Sequence, residues 1–474
     1  MTIPPASGPA RSPRLSTLRL FVPASLVVAG LALAFGPLRL WAAAPPGSFT
    51  FPADHGTWFG VASDLDGDGS EEVILATMGS GSYASATAPP TPVYILGVGN
   101  GAISNRSEDL FGTPPSYWSV RTIVPGDFNG DGQRDLLFCN EGRHTSDLTL
   151  KTNPRTPGIW GEQSAVFFAQ DGHFVDHTAE LPQSVAFCHG GSAANLDGSG
   201  RDALVLNMVG GVVNDSGGYP PYPPTYLAQW NGAGFATSSP FTRTPVRAWG
   251  FTTAAADFNG DGLTDVVGDV NILLGSATAP RAVTYTNGPL EATYTRFNGQ
   301  AVGDVNGDGL PDFVKVLSNG QVSEARFELY LGDAAAGLVY KPDGFPALAA
   351  YDATHFGIDV SLVDINFDGF KDIVTFGKTY TGATYPAGTP MHPVPDAFWL
   401  NDGTGRFTLA HFTDSLVANS VCGGPRGAFG LAYFVKTADP NAFNLVANIC
   451  APGVPNNTLV TRTVTPDAPL TILP

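Results

Sequence analysis

Short apolar runs punctuated by acidic, glycine-rich turns set the pattern of this chain. Val73-Ile74-Leu75, Leu136-Leu137-Phe138 and Ile373-Val374-Thr375-Phe376 each follow directly on an Asp-rich turn. Runs this short, β-branched or aromatic and bounded by turn residues, predict strands. Roughly twenty to thirty-five residues later a second signature recurs, apolar residues and then, in most copies, a Gly, Asn or Asp turn. It reads Tyr94-Ile95-Leu96-Gly97, Phe167 to Gly172, Tyr226-Leu227-Ala228, Tyr330-Leu331-Gly332-Asp333 and Trp399-Leu400-Asn401-Asp402-Gly403. Strand, acidic turn, strand, loop, strand, turn and strand make four strands per unit.

The acidic turns fix the period. Asp64-Leu65-Asp66-Gly67-Asp68-Gly69-Ser70-Glu71-Glu72 is the first of five complete copies, with its side-chain oxygens at Asp64, Asp66, Asp68 and Glu72. The others place theirs at Asp127, Asn129, Asp131 and Asp135, at Asp257, Asn259, Asp261 and Asp265, at Asp304, Asn306, Asp308 and Asp312, and at Asp364, Asn366, Asp368 and Asp372. A degenerate sixth copy keeps Asn195, Asp197 and Asp202, with Ser199 at position 5 and its last acid one place early. First positions at 64, 127, 195, 257, 304 and 364 give intervals of 63, 68, 62, 47 and 60. A period near sixty is one four-stranded blade, whereas solenoid turns are usually about 20 to 45 residues. Residues 45–474 therefore predict one all-β domain, a seven-bladed propeller of four-stranded antiparallel blades. Its seventh blade, from about Gly427, lacks the acidic turn and takes Phe429 to Phe434 as inner strand. The 57 Gly, 40 Pro and 14% charged residues agree, since a helical bundle needs far more Glu, Lys and Arg.

With the Phe-Gly and Trp-x-Gly pairs upstream of the turns, and the Asn-Asp-Gly-x-Gly-x-Phe turn from Asn401 to Phe407, these repeats resemble FG-GAP/VCBS repeats. Such repeats build the N-terminal propellers of integrin α subunits and many exported bacterial proteins. The resemblance covers nearly everything after the N-terminal segment. It implies a fold; the family is too broad in function to imply an activity.

Oxygen ligands at alternating positions of a tight turn converge on one pocket, the donor type and number that Ca²⁺ takes. An EF-hand needs an acid at position 12, where this chain has Leu75, Phe138, Gly268, Lys315 and Thr375. The turns thus predict calcium loops on the hairpin between the first two strands of a blade, about five in number, with a sixth open at Asn195, Asp197 and Asp202. Good turn chemistry alone explains Asp, Asn and Gly in one copy. Five copies ending in an acid gather carboxylates that repel unless a cation or protons neutralise them. The expected role of the ions is structural, because their ligands fill the coordination shell.

Charge and cysteines place the chain. Arg11, Arg14 and Arg19 precede an apolar run from Leu20 to Gly36, followed by Ala42-Ala43-Ala44, the parts of a secretory signal over residues 1–44, with an uncleaved anchor as the alternative. That run is the one expected membrane contact. Secretion, or a periplasmic or cell-surface location, follows. A net charge of −18 with no basic run repels phosphate backbones, so nucleic acid is excluded. Four cysteines in an oxidising compartment predict two disulfides, Cys139–Cys188 and Cys422–Cys450, the second bracketing the blade without an acidic turn. Zinc is disfavoured because no two cysteines fall at a ligand spacing.

Residues six to nine positions ahead of each acidic turn lie about 20 to 30 Å from it along an extended strand. These are Trp58, Trp118, His189, Trp249, Phe297 and His355, an expected ring of aromatic and imidazole groups at the opposite mouth of the channel, near His144 in the segment Asn140 to His144. Packing between blades is the competing use of such rings. No nucleophile elbow, His-Glu-x-x-His or phosphate-binding loop occurs. The expected function is adhesion or recognition of an extracellular glycan or protein by a monomer, with no catalytic residue assigned. The alternative is a calcium-dependent polysaccharide lyase or hydrolase drawing on His144, His189, His355, Glu141, Arg121 and Arg143 at that face.

Overall fold

Among the described residues, pairing of the short apolar runs produces seven antiparallel blade sheets, beside two two-stranded ones in the connections. The computed structural model describes residues 46–473 apart from 53, 80–88, 141, 143–151, 154–155, 158–161, 183–184, 187, 209–224, 241–251, 293–295, 319–324, 346–358, 377–396, 413–431, 449–456 and 471. Two units divide the chain, Met1–Ala43 and Ala44–Pro474, and every described residue belongs to the second.

Six sheets have four strands as a meander in chain order, which we number as blades; blade 6 gains a fifth strand, Ile472–Leu473, against Phe412 and His411, and blade 1 a short one, Ser116–Tyr117, against Thr91 and Pro92. Blade 1 pairs His55–Ser63, Glu72–Gly79, Thr91–Gly99 and Ala102–Asn105; blade 2 pairs Val120–Gly126, Asp135–Asn140, Ala165–Gln170 and His173–Asp176. Blade 3 comprises Cys188–Ala194, Ala203–Met208, Thr225–Trp230 and Phe235–Ser238; blade 4 comprises Ala254–Ala256, Asp265–Val267, Asn271–Leu274 and Arg281–Thr284. Blade 5 is Arg296–Gly303, Asp312–Ser318, Ala325–Asp333 and Gly337–Tyr340, and blade 6 is Asp359–Val363, Asp372–Phe376, Ala397–Asn401 and Phe407–Phe412. The 47-residue interval in the sequence corresponds to blade 4, whose first two strands have three residues each.

Blade 7 departs from the sequence reading. Only three of its strands, Ala432–Lys436, Phe443–Asn448 and Thr458–Val464, come from the C-terminal part; the outer strand is Phe49–Thr50. Its inner strand is described over Ala432–Lys436, past the expected end at Phe434; residues 429–431 lie outside the described residues. Phe49 pairs with Leu459 and Thr50 with Thr458, and the Phe51 amide donates to the Asn457 carbonyl at 3.0 Å. The N-terminal strand covers the Thr458–Val464 edge and leaves only a two-residue strand at the outside of the blade, a short edge that offers little to pair with.

The core lies between blades. Among the described residues seven apolar clusters form, and each draws on two neighbouring sheets. Ile74 and Ile95 of blade 1 meet Leu136 and Phe138 of blade 2, for example, while Phe398 of blade 6 meets Leu445 of blade 7. A central strand covered on both faces must be apolar on both, which is why these strands read as runs and not as alternations. Cys139 and Cys188 form the expected disulfide across the interface of blades 2 and 3, with Cα atoms 5.2 Å apart. Cys422 and Cys450 lie outside the described residues.

Candidate metal centres and the opposite rim

Every acidic turn is the hairpin between the first and second strands of its blade. In blade 2 the Asp127 carboxylate accepts from the amides of Gly130 at 2.7 Å, Asp131 at 3.1 Å and Gly132 at 2.8 Å. Asn129 Oδ1 accepts from Asp131 N at 2.8 Å, and Asp131 Oδ1 from Gln133 N at 2.8 Å. Gly130 and Gly132 sit at φ 81° and 85°, left-handed values that let the chain turn back over these side chains. Blades 4, 5 and 6 repeat the pattern around Asp257, Asp304 and Asp364.

Position 9 is a buried bracket. Asp135, Asp265, Asp312 and Asp372 are fully buried, and each accepts two backbone amides. One comes from position 2 of its own turn: Phe128, Phe258, Val305 and Ile365, at 2.8 to 3.1 Å. The other comes from the end of the third strand or just past it: Ala169, Gly275, Gly332 and Asn401, at 2.8 to 2.9 Å. Burial pushes these acids up despite the amides, Asp135 and Asp372 to about 7 and Asp265 and Asp312 to about 6, with the turn's other carboxylates adding to the rise. A hard cation among such oxygens would relieve that repulsion, and each bracketing oxygen keeps a second lone pair. The donor sets of blades 2, 4, 5 and 6 therefore fit calcium.

Turns 1 and 3 are built differently, although the cluster of turn 1 could also hold a cation. In turn 1 the oxygens of Asp64, Asp66 and Glu72 lie within 4.8 Å of one another, the one acidic group of three so gathered among the described residues. Arg106 Nη1 sits against it, 2.8 Å from Asp66 Oδ2 and 2.7 Å from Glu72 Oε1. In turn 3 position 9 is the buried Ala203, and Asp202 faces blade 2 instead, its Oδ2 accepting the Asp127 amide at 2.9 Å while its own amide donates to the Asp127 carbonyl at 2.7 Å. Asp197 accepts from Gln229 Nε2 at 2.9 Å and from Ser199 N at 3.0 Å. That position 8 amide recurs as an interblade link, from Thr264 to the Asn195 carbonyl and from Glu71 to the Lys436 carbonyl. The acidic turns thus also tie neighbouring blades together.

On the innermost strands a different feature repeats. The pairing slips by one residue six positions ahead of the turn in four blades, at Trp58, Arg121, His189 and Asn298. Such bulges re-aim a side chain and are common at barrel rims and active sites. Two expected rim residues, Trp58 and His189, occupy this register; their side chains are not described, nor is that of Phe297 one place earlier. Trp118 precedes the inner strand of blade 2, half-buried, its amide donating to Glu162 Oε2 at 3.1 Å. Trp249, His355, His144, Glu141 and Arg143 lie outside the described residues. Arg121 and Asn298 escape a search for aromatic and imidazole groups, but counting six places back from each turn finds them. The Arg121 guanidinium carbon lies 5.1 Å from the ring centre of Phe59, its blade 1 neighbour.

A family model described as an FG-GAP-like repeat matches residues 64–138, from the first acidic turn to the second strand of blade 2. No curated protein matches the sequence. Among solved structures, the chain is similar to the rhamnogalacturonan lyase PL11 of Bacillus licheniformis, with 13% identity, a TM-score of 0.39, and coverage of 88% of this chain and 74% of that one. The rhamnogalacturonan lyase YesW matches at 15% identity and a TM-score of 0.41, with the same two coverages. The Vibrio cholerae biofilm matrix protein Bap1 matches at 14% identity and a TM-score of 0.30, over 92% of this chain and 62% of that one. With seven blades in a ring, acidic turns at the first hairpins of six of them and the repeat match reaching over two, the chain is a seven-bladed β-propeller that carries an FG-GAP-like repeat.

Proposed function

We propose that this chain is an exported recognition propeller, braced by calcium on one face and binding an extracellular glycan or protein on the other. Asp127, Asn129, Asp131 and Asp135, with their equivalents in blades 4, 5 and 6, would hold the ions. Bound calcium would supply the positive charge that the buried position 9 acids otherwise lack. The observation that carries the reading is the bulge repeated in register at Trp58, Arg121, His189 and Asn298, about 20 Å along the strand from the turns. Four blades spend ladder regularity at one level, and the residues there, an aromatic, a guanidinium, an imidazole and an amide, are those that stack on and hydrogen-bond to polar ligands. The Cys139–Cys188 disulfide supports an oxidising compartment.

Glycan-array screening of the full chain, with and without chelator, tests this. Trp58→Ala, Arg121→Ala and His189→Ala are each expected to weaken binding by about tenfold or more with calcium content unchanged. Binding that persists while the melting temperature falls would mark these residues as blade packing and overturn the reading. Turnover abolished in His189→Ala with binding retained would replace it with the lyase or hydrolase alternative.

A further inference from the structure

Turn 1 differs from turns 2, 4, 5 and 6 at two ligand positions: Asp66 stands where they have Asn, and Glu72 where they have Asp. The longer Glu72 keeps the position 2 bond, accepting from Leu65 N at 3.0 Å, and turns its other oxygen to Arg106. A single nitrogen, Nη1, spans Asp66 Oδ2 and Glu72 Oε1, two of the oxygens that would have to surround an ion. Glu72 is buried and Arg106 half-buried, which strengthens a charge-assisted pair.

The route of the arginine is built in. Arg106 follows the outer strand of blade 1, its amide donating to the Ile95 carbonyl at 2.8 Å. To reach the turn its stem crosses the third strand at Gly97, where an added Cβ would lie 3.0 Å from Arg106 Cδ. His177 and Lys341 hold the same register in blades 2 and 5, donating to the carbonyls of Val166 and Leu329. Their side chains go elsewhere: His177 stacks on Phe168 with ring centres 4.2 Å apart, and Lys341 pairs with Asp343 at 3.0 Å.

We propose that Arg106 is the resident cation of turn 1, standing where the other complete turns take calcium, so that this turn binds no ion while the arginine is present. The inference rests on the calcium reading of turns 2, 4, 5 and 6. Equilibrium dialysis of the full chain against ⁴⁵Ca²⁺ tests it. The intact chain is expected to bind about four ions and Arg106→Gln about five, while Asp131→Asn and Asp261→Asn each lose one, which calibrates the count. The double variant Asp66→Asn/Arg106→Gln, whose ligand positions then carry the charge of those in turn 2, is also expected to bind five and keeps the test decisive if Arg106→Gln does not fold. Five ions on the intact chain with none gained in either variant would overturn the proposal, leaving Arg106 as a mere counter-charge to Asp66. If the intact chain binds no calcium, the calcium reading fails, and melting in chelator decides the arginine. Arg106→Gln is then expected to lower the melting temperature by several degrees, with Glu72→Gln adding nothing in that background; independent, additive losses would overturn it.

Discussion

Removing calcium should make this propeller less stable as the pH rises, the reverse of the usual behaviour of carboxylates. The four position 9 acids are fully buried, and burial raises them from 3.8 to about 7 at Asp135 and Asp372 and to about 6 at Asp265 and Asp312. In the unfolded chain they are ionised by pH 5, whereas the metal-free fold holds its protons up to pH 6 or 7. The folded state therefore binds more protons across this window, and stability falls as pH rises through it. Displacements of this size correspond to roughly 3 to 4 kcal/mol per acid. Relaxation and water entry bring that to on the order of 1 kcal/mol each, about 4 kcal/mol over four sites. For a chain of this length that is about 5 °C in melting temperature. Asp197, Asp343 and Asp402 are held below their ordinary value and do not oppose this trend, while burial raises Glu72 and Asp202, which act in the same direction as the position 9 acids. Calcium needs the ionised forms, so it should flatten or invert the slope, adding about 1.4 kcal/mol per site at tenfold excess over Kd. Differential scanning calorimetry from pH 5 to 8 at fixed ionic strength, in chelator and in calcium, reads both curves. A melting temperature that climbs with pH in chelator, or identical slopes in the two series, would refute the reasoning.

Two further changes probe how the blades meet. Gly332→Ala would place a Cβ 2.6 Å from the Pro311 carbonyl and 3.0 Å from that of Phe258 in the preceding blade, so a loss of about 1–3 kcal/mol is expected in urea unfolding. Gly99→Ala, with open space around it, is the neutral control. Phe51→Ala removes a ring that is 2% exposed and meets Phe49 and Tyr94 edge-on at 4.9 Å each, clasping blade 7 to blade 1. It should cost about 3–5 kcal/mol, and a loss below about 1 kcal/mol would show that the N-terminal strand does not close the ring.

Much of this was legible in the sequence because it is local. Nine consecutive residues contain the whole of an acidic turn: Asp127 folds back on its own amides at positions 4 to 6, and Gly130 and Gly132 supply the backbone that permits it. The strands after the turns are equally legible, since a strand buried on both faces leaves an uninterrupted apolar run such as Leu136-Leu137-Phe138. Seven sheets, their period and the Cys139–Cys188 pair follow from counting such units.

What the tertiary structure decided is long-range or directional. Thr50 Oγ1 meets Thr458 Oγ1 at 2.9 Å across 408 residues, and no pattern in two residues of strand announces that pairing. Asp202 reads as a misplaced ligand of its own turn until the neighbouring blade supplies the Asp127 amide that it accepts. Arg106 lies forty residues from Asp66 and becomes its partner only because the outer strand of blade 1 returns past Gly97. The sequence by itself determined the repeating unit, whose hydrogen bonds close within one hairpin. Which oxygens remain open to an ion, and how the ring shuts, depended on groups that only the packing of neighbouring blades brings within reach.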